Sequence, residues 1–400
     1  MLPKGWHRGT LGECTKFLSG NTPSKENQAF WSGDFPWVTV KDMKTPWLKK
    51  AGLTLTELGK SVASVAPANS ILVVTRGMAL LKDLPISLAM RDVAFNQDIK
   101  AIVPQKELDA RFLAYQLQSK KHVVLGMVDT AGHGTGKLDT DLLKSVDLVL
   151  PPMLEQRRIA EILSTWDQAI AATERMLSSS EDQKLGLMQG LLTGKLRLNG
   201  HADDWKEHFL GKLFIERVEP NRDDLQLLSI TREQGVILRD DVGRKDTSNE
   251  DKSKYLRICP GDIGYNTMRM WQGVSALSQY EGIISPAYTV ITPGALIDGK
   301  FASYLFKSQA IVFLFYRHSQ GLVSDTWNLK FSHFAKIKIK IPCIQEQRSI
   351  AEVLEKADQQ IEVIQRQLSA LRAEKSALMS QLLTGKRRVK LPDVETEAPA

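Results

Sequence analysis

The sequence predicts an α+β protein: two globular α/β domains, each followed by one long helix, with the two helices packed antiparallel as a coiled coil about an internal pseudo-two-fold. Three observations predict it. First, Pro151 to Leu198 and Pro342 to Val389 are identical at 23 of 48 positions under one offset, where ordinary residue usage gives about three by chance. A period of nearly half the chain means two copies of a large unit, not a solenoid. Second, each copy carries apolar residues in alternating steps of four and three over four to five heptads, which is a coiled-coil seam. Third, the segments before each copy carry short β-rich runs broken by Gly, Pro, Asn and Asp.

Taken in order, residues 1–150 form the first globule. Its runs "SILVVTRG" and "DIKAIVP" read as strands, and "ARFLAYQLQS" reads as a helix. Residues 151–198 form the first long helix, with the seam Ile159, Leu163, Trp166, Ile170, Thr173, Leu177, Ser180, Lys184, Leu187 and Leu191. Pro151 lies just upstream, no Ser or Thr N-cap is visible, and Gly194 stands where a helix would stop. Residues 199–341 form the second globule, with "YTVITP" and "AKIKIKIP" as strands and "GKFASYLFKS" as the helix answering the earlier one. Phe112, Tyr115 and Ser119 correspond to Phe301, Tyr304 and Ser308. Residues 342–390 repeat the long helix, with Ile350, Leu354, Ala357, Ile361, Ile364, Leu368, Leu371, Leu378 and Leu382 on the seam and Gly385 at the stop. Residues 391–400, "LPDVETEAPA", read as a disordered acidic tail. About forty helical residues span roughly 60 Å, and such a stripe needs a partner. The other copy is the obvious one. Lys184 and Lys375 fall at matching seam positions, and the expectation is that their stems pack while their amines reach water.

A charge of +7 with a pI near 9.1 permits a polyanion partner without demanding one. The three cysteines are isolated, so neither a zinc site nor a disulfide framework is indicated, and a reducing compartment, the prokaryotic cytoplasm, is expected. The N-terminus lacks an apolar signal region, and no run is long enough to span a membrane. Catalytic motifs are absent. "TAGHGTGKLDT" fails as a phosphate loop, because Ala131 and Leu138 stand where Gly and Ser or Thr are needed. Four glycine-containing loops support binding instead: 75–82, 132–137, 266–273 and 316–327. Glycine lets backbone approach a ligand, arginine forks to guanine or phosphate, and asparagine or glutamine reads adenine. The candidates for DNA contact are Thr75, Arg76, His133, Lys137, Arg269, Trp271, Gln272 and Gln320. The other class kept open is a non-catalytic coiled-coil scaffold that does not read sequence.

The pattern resembles the DNA-specificity subunit of type I restriction–modification enzymes over nearly the whole chain. The resemblance rests on "LPPMLEQRRIAEIL" and "IPCIQEQRSIAEVL", each opening a long helix that closes on "LLTGK", with "SGNTPSKENQAFWSGDFPWVTVKDM" (19–43), "FNQDIKAIVP" and "NTMRMWQGVSAL…EGIISPAYTVITP". One departure is Cys343 in place of the second proline of Pro151-Pro152. The resemblance implies two target-recognition domains that read the two parts of a split, asymmetric site in double-stranded DNA. It implies helices acting as spacer and as docking surface for two modification (methylase) subunits, with restriction (motor-nuclease) subunits joining them. Glu155, Gln156, Ile159, Leu163, Leu191, Glu346, Gln347, Ile350, Leu354 and Leu382 fall on those spacer and docking helices. Leu185, Met188, Leu192, Met379 and Leu383 are the expected apolar docking flanks. No cofactor is expected on this chain. S-adenosylmethionine, Mg and ATP belong to the partners. The two parts of the site are expected about one helical turn of DNA apart.

Overall fold

The computed structural model describes residues 2–130, 134–201, 203–231, 234–242, 251–322 and 326–391. His133 and the expected acidic tail from residue 392 onward lie outside the described residues. The chain divides into two compact units: Met1–Thr173 with Gln367–Ala400, and Glu174–Arg366. Each unit therefore takes one globule, the half of a long helix that leaves or enters it, and half of the other long helix.

In the first unit a five-stranded sheet runs in the order Thr15–Ser19, Ile99–Pro104, Ile71–Val74, Ile86–Ala89, Trp47–Leu48. All its pairs are antiparallel except the last. Ile71–Val74 is buried at every residue, as an unbroken apolar run requires. The helix Ala110–Ser119 packs on the strand Ile86–Ala89. It starts where the sequence places it, because the Asp109 carboxylate accepts from the Arg111 and Phe112 amides as an N-cap. A four-stranded sheet (Leu53–Leu55, Trp31–Val38, Val93–Phe95, Val65–Ala66) forms a further layer. The first strand, His7–Thr10, pairs with Asp147–Leu150, which runs straight into the first long helix.

The second unit repeats this plan on a smaller scale. Lys206–Phe209 pairs with Lys338–Ile341, the strand that enters the second long helix. Its central sheet is Phe214–Arg217, Tyr288–Pro293, Ile263–Asn266, Ser275–Leu277. The helix Gly299–Leu305 is again N-capped by an aspartate, Asp298. Gln309–His318 adds a helix that the sequence reading did not separate from it.

The long helices are Met153–Leu191 and Ile344–Leu382, 39 residues each. Their seams are fully buried towards the two ends, where the globules pack, and mostly half-buried between them, as at Trp166, Ile170, Leu177 and Ile361. In the first unit Ile159 and Leu163 share a core with Leu382 and Leu383. In the second, Leu191 and Leu192 share one with Ile350 and Leu354. Asp167 meets Lys375 and Glu155 meets Arg388 in the first unit, while Lys184 meets Asp358 and Arg197 meets Glu346 in the second. Within each unit the early part of one helix thus faces the late part of the other, which is antiparallel pairing. Both helices stop at a glycine with left-handed backbone, Gly194 (φ 72°) and Gly385 (φ 74°). A Cβ at Gly385 would also stand 2.7 Å from Pro3, so the stop is fitted against the start of its own globule.

Two expectations need correction. The seam lysines do not simply reach water: each amine is paired with an aspartate of the other long helix. Lys375 Nζ lies 2.5 Å from Asp167 and 5.3 Å from the Tyr115 ring, and its side chain is 14% exposed. Lys184 pairs with Asp358 and sits over Tyr304 in the same way. With the stem packed in the seam, the aspartate offsets part of what the amine loses in hydration. The apolar flanks are also mostly covered. Leu192 and Leu383 are buried and Met188 and Met379 half-buried, all four packed on their own unit's core, while Leu185 remains exposed. The globules use these residues themselves.

Candidate nucleic-acid interface

The loops singled out in the sequence converge in pairs, once in each globule. In the first, the backbone turns at Thr75 after the strand Ile71–Val74. The Thr75 amide and hydroxyl both donate to the Asp98 carbonyl (2.8 and 3.3 Å), and its own carbonyl accepts from the Leu138 amide at 2.9 Å. The second globule builds the same knot. The Thr267 amide and hydroxyl donate to the Ala287 carbonyl (3.1 and 2.9 Å), and the Thr267 carbonyl accepts from the Leu329 amide at 2.9 Å. A short 3-10 turn follows in each, Met78–Leu81 and Met270–Gln272. Thr75 is therefore buried and anchors its loop through its amide, hydroxyl and carbonyl. Thr267 does the same work and was not singled out. Its place in "NTMRMWQG", beside "VTRGMALL", was the available signal.

What each knot presents differs. In the first globule Arg76 and Lys137 stand directly opposite one another on the antiparallel strands Arg76–Gly77 and Gly136–Leu138. Opposed residues share a face, so two exposed cations are placed side by side. No ion pair to either exists among the described residues. On its other side Lys137 stands opposite the exposed Asp129, so the row reads Arg76, Lys137, Asp129 and carries a net positive charge. Met78 and Leu81 are exposed on the adjoining turn. In the second globule Arg269 and Gln272 are exposed, and Trp271 is held by its Nε1 donating to the Met268 carbonyl at 3.0 Å. Trp271 meets Trp327 edge-on at 5.2 Å, and Trp327 meets Tyr316 at 5.0 Å. Gln320 pairs backbone to backbone with Asn328 at 2.8 Å in both directions, closing the loop that carries Trp327. The sequence shows "YRHSQGLVSDTW" as a loop but does not single out Tyr316 and Trp327, because their grouping with Trp271 crosses some fifty residues.

The helix residues expected to dock partners have an internal role. Glu155, Gln156, Ile159, Leu163, Leu191, Glu346, Gln347, Ile350, Leu354 and Leu382 are all buried within the chain. Gln156 Oε1 accepts from the Asp109 amide, and its Nε2 donates to the Glu107 and Pro151 carbonyls. Gln347 makes the same three bonds, to the Asp298 amide and the Leu296 and Pro342 carbonyls. Each glutamine fastens the capped helix of its globule to the root of the long helix. Glu155 binds Arg388 and the Trp6 indole, and Glu346 binds Arg197 through both oxygens at 2.7 and 2.9 Å. Further along, Tyr115 donates to Asp167 (2.6 Å) and Tyr304 to Asp358 (2.7 Å). Burial first, and then the aspartate itself, pushes both phenols far above the ordinary tyrosine range, so each stays a donor. Tyr115, Asp167 and Lys375 thereby join a globule helix and both long helices at one point.

Among the described residues no cluster of His, Cys, Asp and Glu could hold a metal ion, and no helix is long and apolar enough to cross a membrane. The family model "Type I restriction modification DNA specificity domain" matches residues 3–179 and 237–373. The specificity subunit of the type I restriction enzyme EcoR124I/EcoR124II of Escherichia coli is 34% identical over 161 residues, which is 40% of this chain and 40% of that one. The MjaVIII specificity subunit of Methanocaldococcus jannaschii is 24% identical over 97% of this chain and 94% of that one. The solved S subunit of a type I restriction-modification system from M. genitalium superposes with a TM-score of 0.60 at 15% identity, covering 94% of this chain and 96% of that one. A chain from a structure of a type I R-M system superposes with a TM-score of 0.58 at 17% identity, covering 97% and 100%.

Proposed function

This chain belongs to the type I restriction modification DNA specificity family, and from that membership we propose that it reads a split, asymmetric DNA site, one part with each globule, as the specificity subunit of a type I complex. One observation carries the reading on this chain: the same backbone knot, Thr75 with Leu138 and Thr267 with Leu329, is built twice and carries different side chains each time. A shared frame with unlike contents suits a protein that must reach two different sequences in the same manner. Arg76 and Lys137, opposed and exposed, suit a phosphate or a guanine edge, and Arg269 with Gln272 suits guanine and adenine. The chain supplies no chemistry of its own in this reading. Two modification subunits bring the S-adenosylmethionine site and methylate adenine, and restriction subunits bring Mg and ATP. With the expected docking residues buried, partners meet the outward helix faces, where Leu154, Met176, Leu185 and Val363 are exposed.

The test is to sequence the methylome of a host that expresses the chain with its cognate methylase. Two short unequal strings separated by unread bases are expected. Arg76→Ala degrades one string and Arg269→Ala the other, each by about 1–3 kcal/mol of discrimination. Methylation blind to sequence would instead establish the scaffold reading.

A further inference from the structure

The knot of the second globule carries an exposed aromatic row. Trp271 meets Trp327 at 5.2 Å, Trp327 meets Tyr316 at 5.0 Å, and Tyr316 meets Phe313 at 6.3 Å. Tyr316 is 44% exposed and Phe313 56%. Met268, whose carbonyl accepts from the Trp271 indole, is exposed as well. The row is held firmly. The turn Met270–Gln272 packs on the helix Gln309–His318 so closely that a Cβ at Gly273 would stand 3.0 Å from Val312 Cγ2. The Gln320–Asn328 pairing closes the loop that brings Trp327 back to Tyr316. Phe313, Tyr316 and Arg317 fall at i, i+3 and i+4 on the helix, so they share one face, and all three are exposed. Arg317 and the exposed Arg269 make no ion pair among the described residues. A contiguous patch of large apolar side chains with a polar rim marks a surface that something covers.

We propose that this aromatic row receives the 5-methyl group of a thymine in the part of the DNA site that the second globule reads. The inference rests on the DNA-reading function above and deepens it. Trp271 stands in the same short turn as Gln272 and two residues from Arg269, the groups assigned there to base edges, so the row meets the same stretch of duplex. The unpaired arginines beside it fit a polyanion. An apolar surface in a DNA groove can cover only the apolar parts of DNA. On the base edges of the major groove that part is the thymine methyl. Base faces are the alternative, and a platform for them presents rings on which successive bases stack. Here the planes of Trp271 and Trp327 cross at 86° and those of Trp327 and Tyr316 at 72°, so these rings offer neighbouring bases no common face. Phe313 and Tyr316 lie at 29° but 6.3 Å apart, short of the roughly 7 Å, two stacking distances, that a base between them would need. The first globule carries the charged row Arg76, Lys137, Asp129 at its knot, and its helix Lys121–Leu125, in the corresponding chain position, has no Phe, Tyr or Trp. The methyl contact therefore belongs to one half of the site.

The experiment uses the complex of the full chain with its methylase, on duplexes carrying its own site. Each thymine of the site, on either strand, is replaced in turn by deoxyuridine, which lacks only the methyl. At least one replacement, confined to one half of the site, should weaken binding by about three- to five-fold, the value of one buried methyl. The same replacement should cost the complex of the double variant Phe313→Ser, Tyr316→Ser nothing further. Should the double variant fail to fold, Phe313→Ser alone takes its place. If no thymine is sensitive, or if wild type and variant lose equally, the proposal is wrong. A variant that loses affinity equally for its site and for an unrelated duplex makes the row a backbone contact, and one that no longer assembles with the methylase makes it a protein interface. Either result overturns the proposal. Lost base discrimination in Arg269→Ala without any sensitive thymine overturns the methyl contact and leaves the DNA reading standing. Methylation that ignores sequence overturns both.

Discussion

The two globules place the same strands in the same register but fill equivalent positions with opposite chemistry. In the second, Arg217 donates to Asp262 (2.7 Å), which also accepts from Thr292 Oγ1 at 2.7 Å and from the Cys259 amide at 2.8 Å. Strand pairing puts Arg217 opposite Val290, as Leu18 is opposite Ala101, and sets Ile263 against Ile291, as Ile71 against Ile102. Arg217, Asp262 and Thr292 therefore stand where Leu18, Ser70 and Val103 stand in the first globule. One frame holds a charged set in one globule and a largely apolar set in the other; the charged set also reaches Glu219, which pairs with Arg217 and with Arg257. A mixed set would leave Asp262, whose side chain is 2% exposed, without its cation. Arg217→Leu alone should cost about 3–5 kcal/mol. The triple variant Arg217→Leu, Asp262→Ser, Thr292→Val should return to within about 1–2 kcal/mol of wild type, since an apolar replacement of a buried pair is often neutral. Urea unfolding of the second unit checks both. A triple variant as unstable as the single one would show that the frames are not interchangeable.

Where the globules agree, the agreement is in how they grip the long helices. Gln156 and Gln347 make the same three hydrogen bonds and are both almost fully buried. Gln156→Ala and Gln347→Ala each leave an amide and two carbonyls without their side-chain partner, so each should cost about 3 kcal/mol. Hydrogen exchange in the strands Asp147–Leu150 and Lys338–Ile341 separates the two, because each strand lies in only one unit. Unequal losses would mean that the duplicated clamp is supported differently on the two sides.

Much of this frame could be read without coordinates. The duplication, the 3.5-residue seam and the strands in "SILVVTRG" and "AKIKIKIP" are local or periodic signals, and the helix of "ARFLAYQLQS" runs Ala110–Ser119 as written. Tertiary polar pairing is neither. Nothing near Lys375 announces Asp167, which lies on another helix, so the lysine looked like a solvated seam residue. Glu155 and Gln156 have the composition of a surface and are buried because their partners arrive from Arg388, Trp6 and Asp109. The glycine-containing loops were visible as loops. Their convergence through Leu138 and Leu329 depends on sheet geometry.

The finest difference between the units lies at the tryptophans that open each globule. Trp6 Nε1 donates to Glu155 Oε2 at 3.2 Å, while Trp205 Nε1 is buried with no partner among the described residues. Arg197 engages both oxygens of Glu346, and the indole in that unit adds nothing to the carboxylate. Changing either indole to phenylalanine removes the same volume, so the packing cost nearly cancels between Trp6→Phe and Trp205→Phe. The polar cost does not cancel. Trp6→Phe loses a hydrogen bond to a buried carboxylate, whereas Trp205→Phe removes a donor that was already unmet. Trp6→Phe should therefore be the more damaging by about 1 kcal/mol. Local hydrogen exchange in His7–Thr10 and in Lys206–Phe209 reads each effect in its own unit. Equal losses would show that Trp205 finds a donor's partner in solution, most simply a water, and that the two roots are chemically alike.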